Sequence, residues 1–302
     1  MVSSMMVFPS PSTTFETRLG TEVSSIDLQR KSVLTSAGET ACYDRLLMTT
    51  GSRARRLELP EGDARSVCYL RTIDDAVSLR SRLVPSSRLL VIGGGWIGLE
   101  VAASARQRSV EVVLVEAASR LCSRTSPSEL SEYLYRLHEE NGVDIRLQTS
   151  VIALQKRDDE TQARLSNGQK LVVDAVVAGI GVQPNVEVAE AAGLKVGNGI
   201  VVDESCQTSD PFVFAAGDVA NSPDATGRRI RLESWANAQN QAIAAAKNLL
   251  GARYRIRTCR GSGPINTAST YSYSGMILRM AKWSRGATRT GTNSATCVLT
   301  TR

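Results

Sequence analysis

Three glycines, Gly93, Gly95 and Gly98, stand at the spacing G-x-G-x-x-G directly after the apolar run Leu89-Leu90-Val91-Ile92. A second apolar run, Val112-Val113-Leu114-Val115, ends in the acidic Glu116. Strand, glycine turn, helix, strand and acid in that order are the pattern of a βαβ unit that binds a dinucleotide. Gly93 permits the tight turn, Gly95 lets the backbone approach a pyrophosphate, and Gly98 lets the helix pack close on the strand. A helix opening at Trp96 and Ile97 points unpaired N–H groups and its positive dipole end at the phosphates. Glu116 is placed to accept hydrogen bonds from the adenine ribose hydroxyls and to repel a 2′-phosphate, which favours NADH over NADPH. NAD is therefore the expected cofactor of this segment.

The flanking elements are also legible. Arg45 to Thr50 reads as a buried strand that stops at Gly51, and Thr72 to Leu83 as a helix with Asp74, Asp75 and Arg80 on its wet side. Ser126 and Glu129 have capping-box spacing with Pro127 at the first helical position, and Asn141-Gly142 supplies the stop. Asp144 to Gln148 follows as a strand, then Val151 to Leu154 and Ala163 to Val177 as antiparallel strands turning at Asn167-Gly168. A short helix closes at Gly193, the strand Val213 to Ala216 stops at Gly217-Asp218, and Ser234 caps a helix from Trp235 to Leu250. The sole histidine, His138, has no nucleophile or metal ligand beside it and is expected at the surface.

The six cysteines are scattered with no C-x-x-C pair, which predicts neither a metal site nor a redox dithiol. No apolar run approaches the roughly 20 residues that span a membrane, and Met1 to Pro11 lacks the pattern of a signal peptide. A cytoplasmic protein with no membrane association is expected. The net charge of +6 is unevenly placed: nine of the 36 Lys and Arg, and none of the 30 Asp and Glu, lie after Gly251. The preceding residues thus carry 27 basic against 30 acidic groups. The basic tail has few aromatics and no recognisable motif, so no nucleic-acid partner is expected.

Two more strand-end glycines, in Thr50-Gly51 and Gly217-Asp218, bracket the βαβ unit. Further matching stretches are Tyr43-Asp44-Arg45-Leu46-Leu47, Tyr69-Leu70-Arg71-Thr72, Gly179-Ile180-Gly181, Thr208-Ser209-Asp210-Pro211 and Glu233-Ser234-Trp235-Ala236-Asn237-Ala238. With these, the chain from about Phe15 to Gly251 resembles the pyridine-nucleotide disulfide reductase superfamily. Within it, the resemblance is to the ferredoxin reductase components of bacterial aromatic-ring dioxygenases and their putidaredoxin reductase-like relatives. This implies an α/β fold with two dinucleotide-binding, Rossmann-like domains. Residues 1–71 and 184–251 would form an FAD domain, and residues 72–183 an inserted NAD domain.

The resemblance places Val23, Thr50, Gly51, Arg71, Gly217, Asp218, Ser234 and Trp235 among the positions that hold FAD, and Gly181 among the cofactor-binding glycines. Arg71 would neutralise pyrophosphate charge and Asp218 would accept from the ribityl chain. The helix starting at Trp235 would aim its positive end at the flavin N1/O2 edge. Trp235 and Glu100 are expected nearest the reacting rings. The implied reaction is hydride transfer from NADH to the flavin, followed by single-electron transfers to an iron–sulfur ferredoxin. Such chemistry needs stacking and orientation rather than a general base, and the missing dithiol sets it apart from disulfide reductases.

Two departures from the family accompany the match. The family's own N-terminal strand–GxGxxG–helix has no counterpart before Phe15, which predicts an incomplete FAD domain with an exposed sheet edge. From residue 252 to 302 the family's interface domain is replaced by an acid-free tail. Read from the third base of the Cys259 codon, permitted codons spell Pro-Trp-Phe-Trp-Ser-Asp-Gln-Tyr, so the tail is expected to be out-of-frame translation. The alternative to a reductase is a non-catalytic remnant that binds NAD at most.

Overall fold

The computed structural model of the chain describes residues 16–62, 64–158, 160–252, 254 and 255. The out-of-frame reading of the tail beyond residue 255 lies outside these residues. The described residues form two compact units, one from the continuous stretch 54–182 and the other from 16–53 together with the described residues between 183 and 255, so the first is an insertion in the second.

The inserted unit is built on a five-stranded, all-parallel sheet in the order Val143–Arg146, Glu111–Val115, Arg88–Ile92, Ala175–Ala178, Val67–Tyr69. Parallel sheets are covered on both faces, so their strands are apolar at successive positions rather than at alternate ones. The central strand shows this: Leu89 and Val91 point into one core cluster with Leu99, Ala102 and Leu114. Leu90 and Ile92 point into the opposite cluster with Leu154, Leu165 and Val176. Helices Ile73–Arg82, Trp96–Arg106 and Ser128–Glu140 supply cover. A second, mainly antiparallel sheet contains Val151–Arg157, Glu160–Leu165 and Lys170–Val173.

The other unit combines the antiparallel strands Val23–Asp27, Ser32–Thr35 and Thr40–Cys42 with a parallel pair, Leu46–Met48 and Val213–Ala215. Leu46 and Met48 enter a cluster with Ile200 and Val213. Leu47 enters another with Phe214, Ala245 and Leu249. The last two belong to helix Trp235–Leu249, whose buried positions Gln241, Ala244, Ala245, Asn248 and Leu249 recur at helical spacing.

Three local expectations are corrected. Ser126 does not cap its helix: Pro127 is the N-cap and no side chain bonds there, while the buried Ser126 hydroxyl has no partner. The reason is that the Arg120 guanidinium claims the Ser126 carbonyl and holds that residue in the preceding loop. His138 is buried, at 8% exposure, because Ser131, Leu134 and His138 form the inward face of the helix. Its Nε2 lies 3.1 Å from the Leu99 carbonyl and its Nδ1 2.9 Å from that of Leu134. The stretch Ala163 to Val177 is not one strand. Its first part forms the hairpin around Asn167-Gly168, and Ala175–Ala178 crosses into the parallel sheet beside Arg88–Ile92. Asp75 also accepts the N–H of Thr72 while the Thr72 hydroxyl accepts from the Asp75 N–H, a reciprocal capping box at the start of helix Ile73–Arg82.

Candidate functional site

The glycine turn joins strand Arg88–Ile92 to helix Trp96–Arg106. Gly93 has φ +105°, and a Cβ there would fall 2.6 Å from the Gly179 carbonyl oxygen. At Gly98 a Cβ would sit 1.9 Å from the Gly93 carbonyl oxygen, so helix and strand approach more closely than any side chain allows. Gly95 is different. It is the helix N-cap, makes no side-chain cap, and a Cβ on it would meet only the Gly179 oxygen at 3.9 Å. The first turn of the helix is thus bordered by open space at a position without a side chain, which fits a phosphate group.

Glu116 faces this turn. Its Oε2 accepts the Gly94 N–H at 2.6 Å and its Oε1 accepts the Ala118 N–H at 2.7 Å. Each carboxylate oxygen has further acceptor capacity for a ribose hydroxyl. Gly94 itself has no room for a side chain, since a Cβ would lie 2.6 Å from Leu121 Cδ2.

Beside the turn runs the loop of residues 120–126. The Cys122 N–H donates to the Gly94 carbonyl at 2.9 Å, and the Trp96 indole N–H donates to Thr125 Oγ1 at 3.1 Å. A Cβ on Gly181, which has φ +101°, would lie 3.1 Å from the Arg124 guanidinium. Gly181 therefore belongs to the same neighbourhood as the turn, through Gly179 and this loop. Arg124 and Thr125 were not among the expected site residues. Nothing in their local spacing marks them, because their place depends on how the loop folds back.

Trp96 and Ile97 are both partly exposed at the helix start. Glu100 follows one turn later, and burial pushes its carboxyl up to about 7. Arg71 lies just before helix Ile73–Arg82, where its N–H donates to Asp75.

In the other unit, the expected flavin positions share several contacts. Ser52, next to Gly51, donates its hydroxyl to Asp218 Oδ2 at 2.9 Å. The Asp218 carbonyl accepts from Arg231. Gly217 has φ +80°, and a Cβ on it would come within 3.6 Å of Ala238, in the second turn of helix Trp235–Leu249. The buried Gln241 side chain accepts the Gly217 N–H at 2.9 Å and donates to Ser222 Oγ. Ser234 caps the helix by accepting the Asn237 N–H, and Trp235 beside it is 68% exposed. Val23 and Thr50 line a small apolar cavity of about 30 Å³, and the Thr50 hydroxyl donates to the Asn185 carbonyl. Gly51, Gly217, Asp218, Ser234 and Trp235 are thus linked locally, whereas Val23 and Thr50 belong to the neighbouring cavity. Glu100 lies in the inserted unit and Trp235 in the other. Ser52 and Gln241 complete this arrangement; a lone Ser or Gln carries no signal in sequence.

Cys42, Cys68, Cys122 and Cys206 are free thiols. Among the described residues, no group of three or more His, Cys, Asp or Glu is placed to hold a metal ion, and no helix is long and apolar enough to cross a membrane.

Residues 8–242 match the family model described as pyridine nucleotide-disulphide oxidoreductase. The ferredoxin–NAD(+) reductase component of the anthranilate 1,2-dioxygenase system of Burkholderia cepacia is 43% identical over 236 residues, which are 78% of this chain and 58% of that protein. Putidaredoxin reductase of Pseudomonas putida is 43% identical over 239 residues, 77% of this chain and 57% of that protein. The crystal structure of the covalent putidaredoxin reductase–putidaredoxin complex matches with a TM-score of 0.75 at 41% identity, covering 79% of this chain and 59% of that one. The chain therefore spans somewhat under 60% of the length of these relatives. With its glycine turn, acidic strand end and inserted parallel-sheet unit, it belongs to the pyridine nucleotide-disulphide oxidoreductase family.

Proposed function

We propose that the chain works as an FAD-dependent NADH:ferredoxin oxidoreductase, the reductase component of an aromatic-ring dioxygenase or monooxygenase electron chain in the cytoplasm. The observation that carries this reading is the Gly93–Gly98 turn, open only at Gly95 and facing the Glu116 carboxylate. It is supported by two relatives whose names specify ferredoxin or putidaredoxin reduction. NADH would lie with its pyrophosphate at the start of helix Trp96–Arg106 and its adenine ribose on Glu116. Arg124 and Gly181 would border the same groove.

On the flavin side, Asp218, Gly217 and the Ser234-capped helix would hold FAD. FAD held there would supply the chemistry of hydride acceptance and single-electron release. The residues of the chain would bind and orient it, and the helix start at Trp235 would offer its positive end to negative charge on the ring. The partner is an iron–sulfur ferredoxin.

The test is the visible spectrum of the purified chain together with NADH and NADPH titrations. Flavin bands near one per chain, and NADH bound more tightly than NADPH, are the expected result. A colourless chain that still binds NADH would point instead to a remnant without flavin chemistry. Replacing Glu116 by Ala removes charge-assisted hydrogen bonds to the ribose. The replacement is expected to weaken NADH about tenfold while narrowing the gap to NADPH.

A further inference from the structure

The loop that walls the glycine turn is organised around one cation, Arg120. Arg120 Nη1 donates to the Ser126 carbonyl at 2.7 Å and to Ser131 Oγ at 2.8 Å, and its Nη2 donates to the Ser123 carbonyl at 2.9 Å. The Ser131 hydroxyl in turn donates to the Leu121 carbonyl at 2.6 Å. These bonds close the loop on itself and tie it to helix Ser128–Glu140. What the loop presents outward is the set already met at the turn: Leu121 under Gly94, the Cys122 N–H on the Gly94 carbonyl, Arg124 against Gly181, and Thr125 on the Trp96 indole. Cys122 has φ +48°, a left-handed backbone that a non-glycine residue keeps only when its surroundings hold it.

We infer that Arg120 is a positioning residue for the dinucleotide site: its guanidinium fixes the 120–126 loop so that Arg124 and Thr125 stand beside the glycine turn. The inference rests on the NADH reading above for its functional consequence. Arg120 does not touch the ligand in this account, because its fork is directed into the loop and the next helix. Planarity matters here. Three acceptors are met by two nitrogens of one rigid fork, a geometry that a lysine ammonium does not reproduce.

The experiment compares wild type with Arg120→Met and Arg120→Lys in the full chain, using NADH titration and the Trp96 indole N–H resonance. That resonance is assigned with Trp96→Phe and its hydrogen bond checked with Thr125→Val. Arg120→Met is expected to weaken NADH binding roughly tenfold, the lower end of what the loss of a supporting partner does, and to move the Trp96 resonance in the direction Thr125→Val moves it. Arg120→Lys is expected to fall between Met and wild type. Millimolar guanidinium ion is expected to restore part of the binding to Arg120→Met and none to an Arg124→Met chain. That rescue is a readout that general destabilisation does not produce.

Wild-type affinity in a folded Arg120→Met chain overturns the inference. If Arg120→Met does not fold, Arg120→Lys decides: wild-type affinity with an unmoved Trp96 resonance overturns it equally. Should wild type itself not bind NADH, the functional reading fails, and the positioning claim is judged on the Trp96 resonance in the ligand-free chain. No shift in Arg120→Met then overturns it.

Discussion

Single residues at the turn carry effects of opposite origin. Gly98 is a packing constraint: with a backbone oxygen 1.9 Å from where a Cβ would go, Gly98→Ala must push helix Trp96–Arg106 off its strand. The expected outcome is a loss of about 1–3 kcal/mol of stability, read by denaturant unfolding, together with weakened NADH binding. Glu100 is an electrostatic one. Its carboxyl ordinarily titrates at 4.5, and burial raises it to about 7 in the folded chain. Between those values the folded state holds a proton that the unfolded state has released, so stability falls as pH rises through this window and the whole loss is present above pH 7. The full difference corresponds to about 3 kcal/mol, and partial exposure of the carboxyl reduces it to about 1–2 kcal/mol. Glu100→Gln is therefore expected to be more stable than wild type at pH 8 and equal to it at pH 4. Equal stabilities at both pH values would show that the carboxyl is not desolvated. The sequence signalled Gly98 plainly through its spacing. It signalled Glu100 only through family resemblance, because burial of a helical carboxylate depends on what packs over it.

At the scale of elements, local rules located the ends that matter and missed those that depend on tertiary partners. The helix from Trp235 is capped by Ser234 and followed by Gly251 at φ +92°, as cap and stop residues require. The helix after Ser126 has the same apparent signals, yet Arg120 draws Ser126 away and the capping box does not form. Likewise the alternation after Ala163 gave the Asn167-Gly168 hairpin correctly but not the switch of Ala175–Ala178 into the parallel sheet, because apolar periodicity alone cannot say which sheet a strand joins. His138 shows the same limit, since one polar residue on the packed face of a helix is accommodated by two backbone carbonyls. Gln241 makes the argument testable for the flavin-side helix. It is 1% exposed and is the buried link between the helix, the Gly217 N–H and Ser222. Gln241→Leu keeps the volume but strips the Gly217 N–H of its acceptor, so a loss of about 1–3 kcal/mol is expected. Gln241→Glu retains the acceptor but buries a carboxyl, so by thermal unfolding it should lose less than Gln241→Leu at pH 4, where that carboxyl is protonated, and progressively more as the pH rises.

For the molecule as a whole, an inserted unit is expected from the family resemblance rather than from any residue pattern, and residues 54–182 form a compact unit between residues 16–53 and the described residues from 183 to 255. Each unit has buried clusters drawn from its own residues: the inserted one around Leu89, Val91, Leu90 and Ile92, the other around Leu46, Met48 and Phe214. Separate cores allow separate melting, and a ligand stabilises only the species that binds it. Calorimetry of the purified chain is therefore expected to resolve two transitions. NADH at a hundred times its dissociation constant should stabilise the inserted unit by about 2.7 kcal/mol while leaving the other in place. Glu116→Ala should shrink that shift at the same NADH concentration, and adding FAD should move the second transition instead. A single transition, or two that NADH moves together, would mean that the units unfold as one and that the dinucleotide turn does not act through its own core.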